Sequence, residues 1–372
     1  MSRLRLGVVC YPTIGGSSVI ATEIATAAAR LGHDVHLLSY RNPSRLTEAV
    51  PGLVTHLVKV SGYPLLKYPP YDLALATRML EVQEQFEIDL FHVHYAIPHA
   101  VSAFLARSMS EKPLRFVTTL HGTDITVVGA DPSYLRPTRF AIEQSNAVTA
   151  VSNFLSEETA RVFNTQHPIE VIPNFVDTAR FQPGAKGPYY RRQNKERIIV
   201  HGSNFRPVKR VADVIRVFCQ LTQRLPCRLL LAGDGPDREH ALAVAADLGC
   251  LEQIEVLGNR SSLDQILADA DLCLMASETE SFGLVLLEAM SCGVPCVSTN
   301  VGGVREVLGQ EQYLRPVGQI EELADVAFEL LTQEDRHHEV SQSLRQRAIE
   351  SFGRDAILEQ YMKLYQEVLA VP

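Results

Sequence analysis

Short runs of β-branched and apolar residues alternate along the chain with longer stretches whose apolar positions recur at helical spacing. In the first half the pattern predicts strands at residues 4–10, 34–39, 54–60, 90–94, 115–120, 147–151 and 170–172, separated by helices such as 19–31 and 73–86. A second series follows, with strands at 197–201, 228–232, 253–257, 272–275 and 296–298 and helices near 211–224, 238–248 and 284–292. From residue 320 onward the pattern is helical. Between the two series, residues 182–195 carry Pro183, Gly184, Gly187 and Pro188 among several charges and read as a linker. Strands alternating with helices predict parallel sheets covered on their faces. The expected class is α/β, with two Rossmann-like domains facing each other across a cleft and ligands bound at the carboxyl ends of strands.

Length and composition agree with that division. A chain of 372 residues exceeds what one compact core usually holds. A hydrophobic content of 46% with 21% charged residues is that of a globular protein. The net charge of −8 disfavours nucleic acid as a partner. No apolar run approaches the roughly 20 residues of a membrane span, so no membrane partner is expected and the cytoplasm is the expected location. The seven cysteines are scattered, and the closest pair, Cys292 and Cys296, has no metal-ligand partners nearby. Buried free thiols in a reducing compartment are expected.

The stretch Glu280-Ser-Phe-Gly-Leu-Val-Leu-Leu-Glu288 sets two carboxylates eight positions apart. Ser281 is placed to cap a helix starting at Phe282, and Gly293 with Pro295 to stop it. The backbone N–H groups at such a helix start form a seat for a phosphate. Glu288 would lie roughly 12 Å further along at the helical rise per residue. That length suits a sugar nucleotide, with phosphates in the middle and hydroxyl-rich rings at both ends. The same two acids would also suit the solvated face of an amphipathic helix.

Other segments carry compatible chemistry. The loop Gly202-Ser-Asn-Phe-Arg-Pro-Val-Lys209-Arg210 brings cations to a strand end, where they can neutralise a pyrophosphate. Gly233-Asp-Gly-Pro236 and Gly258-Asn-Arg260 follow the next two strands. Near the N-terminus, Gly15 and Gly16 permit a backbone that hugs a phosphate, with Ser17 or Ser18 as helix cap. Asp234, Asp237, Asp269 and Asp271 read as turn and helix-end residues, so no metal is expected. His92 and His94 alternate along a strand and, with His99, read as core or loop residues.

The Glu280 to Glu288 element, with its Ser-Phe-Gly insert and the following Ala289-Met-Ser-Cys-Gly-Val-Pro295, resembles the E-x7-E element of retaining glycosyltransferases with the GT-B fold. The resemblance implies that Glu280 binds donor-sugar hydroxyls and Glu288 the ribose. Ser281, Phe282, Gly283 and Leu284 line the donor between them, and Gly15 and Gly16 complete its phosphate site. Lys209 takes the diphosphate. Where many relatives carry an Arg five residues before this Lys, the chain has Asn204, and Arg206 is the substitute cation. Gly233 faces the nucleotide, and Asn259 and Arg260 lie in the loop that holds the base, uridine by resemblance. His121 approaches the primary hydroxyl of the donor sugar, so the implied catalytic set is His121, Lys209 and Glu280.

Longer strings narrow the resemblance to the bacillithiol-pathway branch of that family. They are Cys10-Tyr-Pro-Thr-Ile-Gly-Gly-Ser-Ser18, Lys67-Tyr-Pro-Pro-Tyr-Asp72, His92-Val-His-Tyr-Ala-Ile-Pro-His99, Leu120-His-Gly-Thr-Asp124 and Val171-Ile-Pro-Asn-Phe-Val-Asp177. That branch implies UDP-N-acetylglucosamine (UDP-GlcNAc) as donor and the hydroxyl of L-malate as acceptor, with retention at the anomeric carbon and no cofactor or metal. Malate has two carboxylates, so its pocket needs hydrogen-bond donors and a cation. Ser17, Tyr95, Thr119 and Asn153 are the candidate acceptor residues, with Lys67 as the cation. The implied domains are residues 1–180, for the acceptor, and 181–353, for the UDP-sugar, with a last helix in 354–372 crossing back to the first. The family often self-associates, which admits a homo-oligomer. The alternatives are a transferase acting on an inositol phosphate or a lipid, a UDP-sugar epimerase, and a sugar-nucleotide-binding module without catalysis.

Overall fold

The computed structural model describes residues 3–13, 15–62, 65, 67–184, 196–261 and 263–371. Most of the expected linker, residues 185–195, lies outside these. The chain divides into two compact units, one formed by Met1–Pro173 with Asp355–Pro372 and the other by Asn174–Arg354.

In the first unit the chain runs β1 (Arg5–Val9), α1 (Gly16–Arg30), β2 (Asp34–Ser39), β3 (Leu53–Leu57), α2 (Tyr71–Phe86), β4 (Leu90–His94), α3 (Val101–Met109), β5 (Phe116–Leu120), α4 (Leu135–Gln144), β6 (Ala147–Ala150), α5 (Asn153–Phe163) and β7 (Ile169–Val171). Its seven strands are all parallel, in the order β3-β2-β1-β4-β5-β6-β7. A parallel sheet covered on both faces needs continuous apolar strands, and β4 and β5 are buried at every position. Phe91 and Phe116 from these strands pack with Leu75, Met79 and Val82 of α2 and Ala103 and Ala106 of α3.

The second unit repeats the plan: β8 (Arg197–Gly202), α6 (Val211–Thr222), β9 (Cys227–Ala232), α7 (Arg238–Asp247), β10 (Ile254–Gly258), α8 (Asp264–Ala268), β11 (Leu272–Leu274), α9 (Leu284–Ser291), β12 (Cys296–Thr299), α10 (Val304–Leu308), β13 (Leu314–Arg315), α11 (Ile320–Thr332) and α12 (Glu334–Phe352). The six strands are parallel in the order β10-β9-β8-β11-β12-β13. Two-residue β13 was not legible, because a pair of residues carries no periodicity. Both sheets reverse strand order beside their first strand, between β1 and β4 and between β8 and β11. At such a point the connections leave in opposite directions and open a crevice at the carboxyl ends.

The last helix, α13 (Arg354–Ala370), groups from Asp355 onward with the first unit. Tyr361 and Tyr365 on it are fully buried. The Tyr365 hydroxyl lies 2.6 Å from His92 Nδ1, His92 Nε2 lies 2.6 Å from Thr119 Oγ1, and Thr119 Oγ1 lies 2.7 Å from Thr149 Oγ1. The helix is thus tied to β4, β5 and β6 through a buried polar chain.

Three expectations need correction. Helix α9 begins at Leu284 rather than Phe282, and Ser281 does not cap it; the preceding residue, Gly283, has φ +94°, a left-handed turn that glycine adopts without strain. Helix α1 begins at Gly16 after an extended Gly15, so Ser17 and Ser18 lie inside its first turn and neither is the cap. Cys219 and Cys250 are joined by a disulfide with Cα atoms 5.7 Å apart, because the packing of α6 on α7 brings positions 31 residues apart together. The other five cysteines are free and buried.

Burial holds several histidines neutral: His92 is pushed down to about 3, and His99 and His201 to about 4. In the unfolded chain such imidazoles take a proton near pH 6.5. Folding therefore excludes protons between the folded and unfolded values, and the stability these groups contribute is present above about pH 6.5 and lost as pH falls toward 4. Each contributes a slope of roughly 1.4 kcal/mol per pH unit in that window. Thermal unfolding followed by circular dichroism is expected to give a Tm that falls steadily from pH 7 to pH 5; a flat profile would contradict it.

Candidate active site

The first cluster sits at the reversal point of the second sheet. The loop after β8 carries Lys209 in a single 3-10 turn, and the loop after β11 carries Glu280. Lys209 Nζ and Glu280 Oε1 meet at 2.5 Å, and the Ser277 hydroxyl donates to the same oxygen at 2.8 Å. Glu280 is only 8% exposed. Two segments 71 residues apart are thus joined by a charge-assisted hydrogen bond at a strand-end crevice. The Glu280 carbonyl accepts from Gly303 N at 3.0 Å, and Glu278 N donates to the Val208 carbonyl at 2.8 Å, fixing both loops.

The remaining donor candidates vary in what surrounds them. Glu288 is buried on α9. Because residues 280–283 precede the helix, the two glutamates are not separated by the simple helical rise. Phe282 is buried edge-on against Phe352, with ring centroids 5.7 Å apart, so packing accounts for its side chain. Gly283 is buried, and Ser281 and Leu284 are partly exposed. Asn204 is exposed and Arg206 partly so, in the same loop as Lys209; Asn259 and Arg260 are exposed just after β10. Gly233 has φ +141°, and a Cβ there would lie 1.7 Å from the Ser203 carbonyl oxygen. Its glycine is thus required by the fit of its turn against the loop after β8. Gly15 differs: a Cβ would meet nothing nearer than Thr13 Oγ1 at 3.6 Å, so packing does not demand glycine there. Gly16 is the first residue of α1.

The second cluster sits at the reversal point of the first sheet. Ser17 Oγ and the Tyr95 hydroxyl are 2.5 Å apart, joining the start of α1 to the end of β4. The Tyr95 ring lies 5.4 Å from that of His121 and 5.7 Å from that of Tyr11. Tyr11 also packs on His99 at 4.5 Å and on Tyr71 at 6.1 Å. His121 Nε2 is 2.9 Å from His94 Nδ1. Burial lowers His121 to about 3, so its ring is neutral at physiological pH.

Thr119, a candidate for touching the acceptor, is fully buried on β5 with its hydroxyl between His92 and Thr149. It is a core residue, and its expected direct contact is corrected on that ground. Lys67 is exposed with its ammonium 5.4 Å from the Tyr68 ring centroid. Asn153 is the exposed first residue of α5, behind the capping Ser152.

Asp124 escaped the sequence reading. Its Oδ2 accepts from Ala96 N at 3.0 Å, and its Oδ1 accepts from His121 N at 3.1 Å and Gly122 N at 3.0 Å. One buried carboxyl thus clamps the strand-end segments that carry Tyr95 and His121. Burial pushes its pKa up to about 6 against the opposing pull of these N–H groups. Tyr95 itself has φ +91°, a conformation that costs a non-glycine residue of order 1–3 kcal/mol and that its surroundings must enforce. The Asp at the end of His121-Gly-Thr-Asp was the available signal.

Asp124→Ala leaves three backbone donors without this acceptor. The expected loss is about 1–3 kcal/mol of stability. Amide hydrogen exchange at Ala96, His121 and Gly122 is expected to accelerate at least about tenfold, beyond the change at amides of β1. Unchanged exchange at these three positions would refute the clamp.

Comparison with known proteins places this geometry in a family. Residues 14–180 match Glycosyltransferase Family 4 and residues 189–348 match Glycosyl transferases group 1. The chain is 43% identical to N-acetyl-alpha-D-glucosaminyl L-malate synthase of Bacillus anthracis over 99% of this chain and 98% of that one. It is 27% identical to D-inositol 3-phosphate glycosyltransferase of Actinosynnema mirum, over 78% of this chain and 77% of the relative. Among solved structures, sucrose-phosphate synthase of Thermosynechococcus elongatus superposes with a TM-score of 0.84 at 19% identity, covering all of both chains. HepE of Anabaena, solved with UDP-glucose, gives 0.81 at 19% identity over 98% of this chain and all of that one. The chain is a glycosyltransferase of the GT-B fold and belongs to the family that contains the Bacillus anthracis N-acetyl-alpha-D-glucosaminyl L-malate synthase.

Proposed function

We propose that this glycosyltransferase moves N-acetylglucosamine from UDP-GlcNAc to the hydroxyl of L-malate with retention, giving N-acetyl-α-D-glucosaminyl L-malate, the first step of bacillithiol biosynthesis. The Lys209–Glu280 pair at the reversal point of the second sheet carries the reading, since it sets a carboxylate for sugar hydroxyls beside a cation for a diphosphate. The full-length similarity to a relative named for this product supports the choice of donor and acceptor.

In this reading Lys209 turns toward the diphosphate as substrate enters, with Arg206 supplying the second cation and the backbone N–H groups at the start of α9 the remaining donors. Glu280 holds the sugar hydroxyls and Glu288 the ribose. Glu280 already engages both Lys209 and Ser277 through Oε1, which suits a binding carboxylate better than a nucleophile. The proposed path is therefore attack of the malate hydroxyl on the face the UDP leaves, with a departing phosphate oxygen accepting the hydroxyl proton. Developing negative charge on the leaving group is met by Lys209 and the helix start, with no metal ion in the proposal. Ser17 and Tyr95 are the proposed acceptor contacts, with Lys67 and Asn153 as further contacts for the carboxylates.

The test incubates the purified chain with UDP-GlcNAc and, separately, L-malate, inositol 3-phosphate or no acceptor. UDP release and an α-linked malate adduct by NMR are expected only with malate. Glu280→Gln and Lys209→Ala are each expected to lower kcat/KM by about 100-fold or more, as removal of a positioned transition-state contact does. Turnover with inositol 3-phosphate alone, an epimerised donor, or binding without turnover would each overturn the proposal. A β-linked adduct would overturn retention.

A further inference from the structure

At the reversal point of the second sheet one imidazole spans the two strands that diverge there. Strands β8 and β11 run in register through Ile199–Leu272 and Val200–Cys273. One position further along each strand a side chain makes the link: His201 Nδ1 lies 3.0 Å from the Leu274 carbonyl oxygen. His201 Nε2 lies 2.9 Å from the Ser203 hydroxyl, and Phe205 N donates to the same hydroxyl oxygen at 3.3 Å. The His201 ring is fully buried, and the proposed reaction does not use it.

Both ring nitrogens have a polar partner, so the proton has a definite place. A carbonyl oxygen only accepts, so Nδ1 carries the N–H. A neutral imidazole has one such proton, which leaves Nε2 a bare acceptor. The Ser203 O–H then donates to Nε2 while its oxygen accepts from Phe205 N. The opposite tautomer sets the Nδ1 lone pair against the Leu274 oxygen and takes away the acceptor of the Ser203 hydrogen. Burial, aided by the charge of Lys209, keeps the ring from taking a second proton at neutral pH, against the opposing pull of the Leu274 carbonyl and Glu280.

These two bonds bear on the loop after β8. Phe205 is fully buried with φ +39°, a conformation that a non-glycine residue keeps only where its surroundings enforce it. Its N–H is held by Ser203, and its carbonyl accepts from Asp237 N at 3.0 Å. Beyond it the chain enters the 3-10 turn that carries Lys209. On the other strand, Leu274 leads to Ser277 and Glu280, which are themselves bonded. We propose that His201 is a positioning residue for the donor site: through Nδ1–H to the Leu274 carbonyl and Nε2 to the Ser203 hydroxyl, it fixes the backbone of the Lys209 loop against the strand end that leads to Glu280. The donor-site consequence rests on the transferase reading, whereas the proton assignment stands on the geometry. His201 touches no substrate in this scheme and acts through Ser203 and Leu274.

The test has two arms. In the first, the unmodified chain is labelled with nitrogen-15 at histidine, and the His201 signals are assigned with His201→Gln. A protonated-type shift for Nδ1 and an unprotonated-type shift for Nε2 are expected; a proton on Nε2 overturns the proposal whatever the substrate proves to be. In the second, the Kd for UDP is measured by calorimetry and the KM for malate by kinetics. Ser203→Ala is expected to raise the UDP Kd at least about fivefold while the malate KM changes less than about twofold. Ser203→Thr, which keeps the hydroxyl, is expected to stay within about twofold of the unmodified chain. His201→Asn keeps a donor toward Leu274 but loses the acceptor for Ser203, so it is expected to match Ser203→Ala, and the double variant to fall within about twofold of either single one. Partial unfolding would reduce the number of binding sites without weakening those that remain, so Kd separates positioning from folding. An alanine variant with unchanged Kd, a threonine variant no better than alanine, or fully additive losses in the double variant would each overturn the proposal. If the unmodified chain binds UDP without turning over malate, the proposed function fails while the UDP Kd still decides this inference. If it binds no UDP, both fail, and the first arm still decides the place of the proton.

Discussion

Reversal of strand order in an all-parallel sheet is the constraint on which the rest of this molecule depends. Parallel strands need crossover connections, most of them helices here, and the crossovers on the two sides of the first strand leave in opposite directions. A crevice at the carboxyl edge is the geometric result. Each sheet has one reversal, and each reversal collects side chains from segments distant in sequence. Between β8 and β11 it joins Lys209 to Glu280. Between β1 and β4 it joins Ser17 to Tyr95. Neither contact is a property of one motif; each exists because two strand ends are neighbours.

Polar groups beneath these crevices are expensive to bury, and the first unit meets that cost by linking them to one another. Tyr365, His92, Thr119 and Thr149 form one chain of hydrogen bonds, and His94 and His121 form a pair beside it. Asp124 satisfies three backbone donors at once. Such networks are worth little net energy per bond but are costly to break, because each broken bond strands a buried group. They therefore fix geometry more than they add stability. The network also ties the C-terminal helix to the strands whose ends carry Tyr95 and His121, so the fold and the site share the same side chains.

Apart from β13, the strands were legible to within one to three residues, because short apolar and β-branched runs bounded by turns have few other readings. Glu280 and Lys209 were legible as chemistry at loop positions. The helix starts were less so. Ser281 and Ser17 have the side chains of caps, yet Gly283 and Gly15 hold the positions before α9 and α1, since tertiary packing sets the entry angle of each chain. Thr119 read as a strand-end hydroxyl for a ligand but turned inward, where His92 and Thr149 needed it. Gly233 read as a turn glycine facing the nucleotide, and only the fold shows that the loop after β8 leaves no room for a Cβ there. The Cys219–Cys250 bond was invisible because it depends on the meeting of two helices.

Local pattern alone therefore determined the class of fold, the order of elements, the existence of two α/β units and the residue types able to bind a sugar nucleotide. Hydrophobic periodicity and loop chemistry are short-range properties, and a sequence displays them directly. Only the tertiary structure decided which hydroxyls and imidazoles meet one another inside, which glycines are needed for packing, and that Asp124 and His94 stand behind His121. Those outcomes follow from strand neighbours dozens of residues apart, and their energies come from satisfying buried polar groups. Such matching has no signature until the chain is folded.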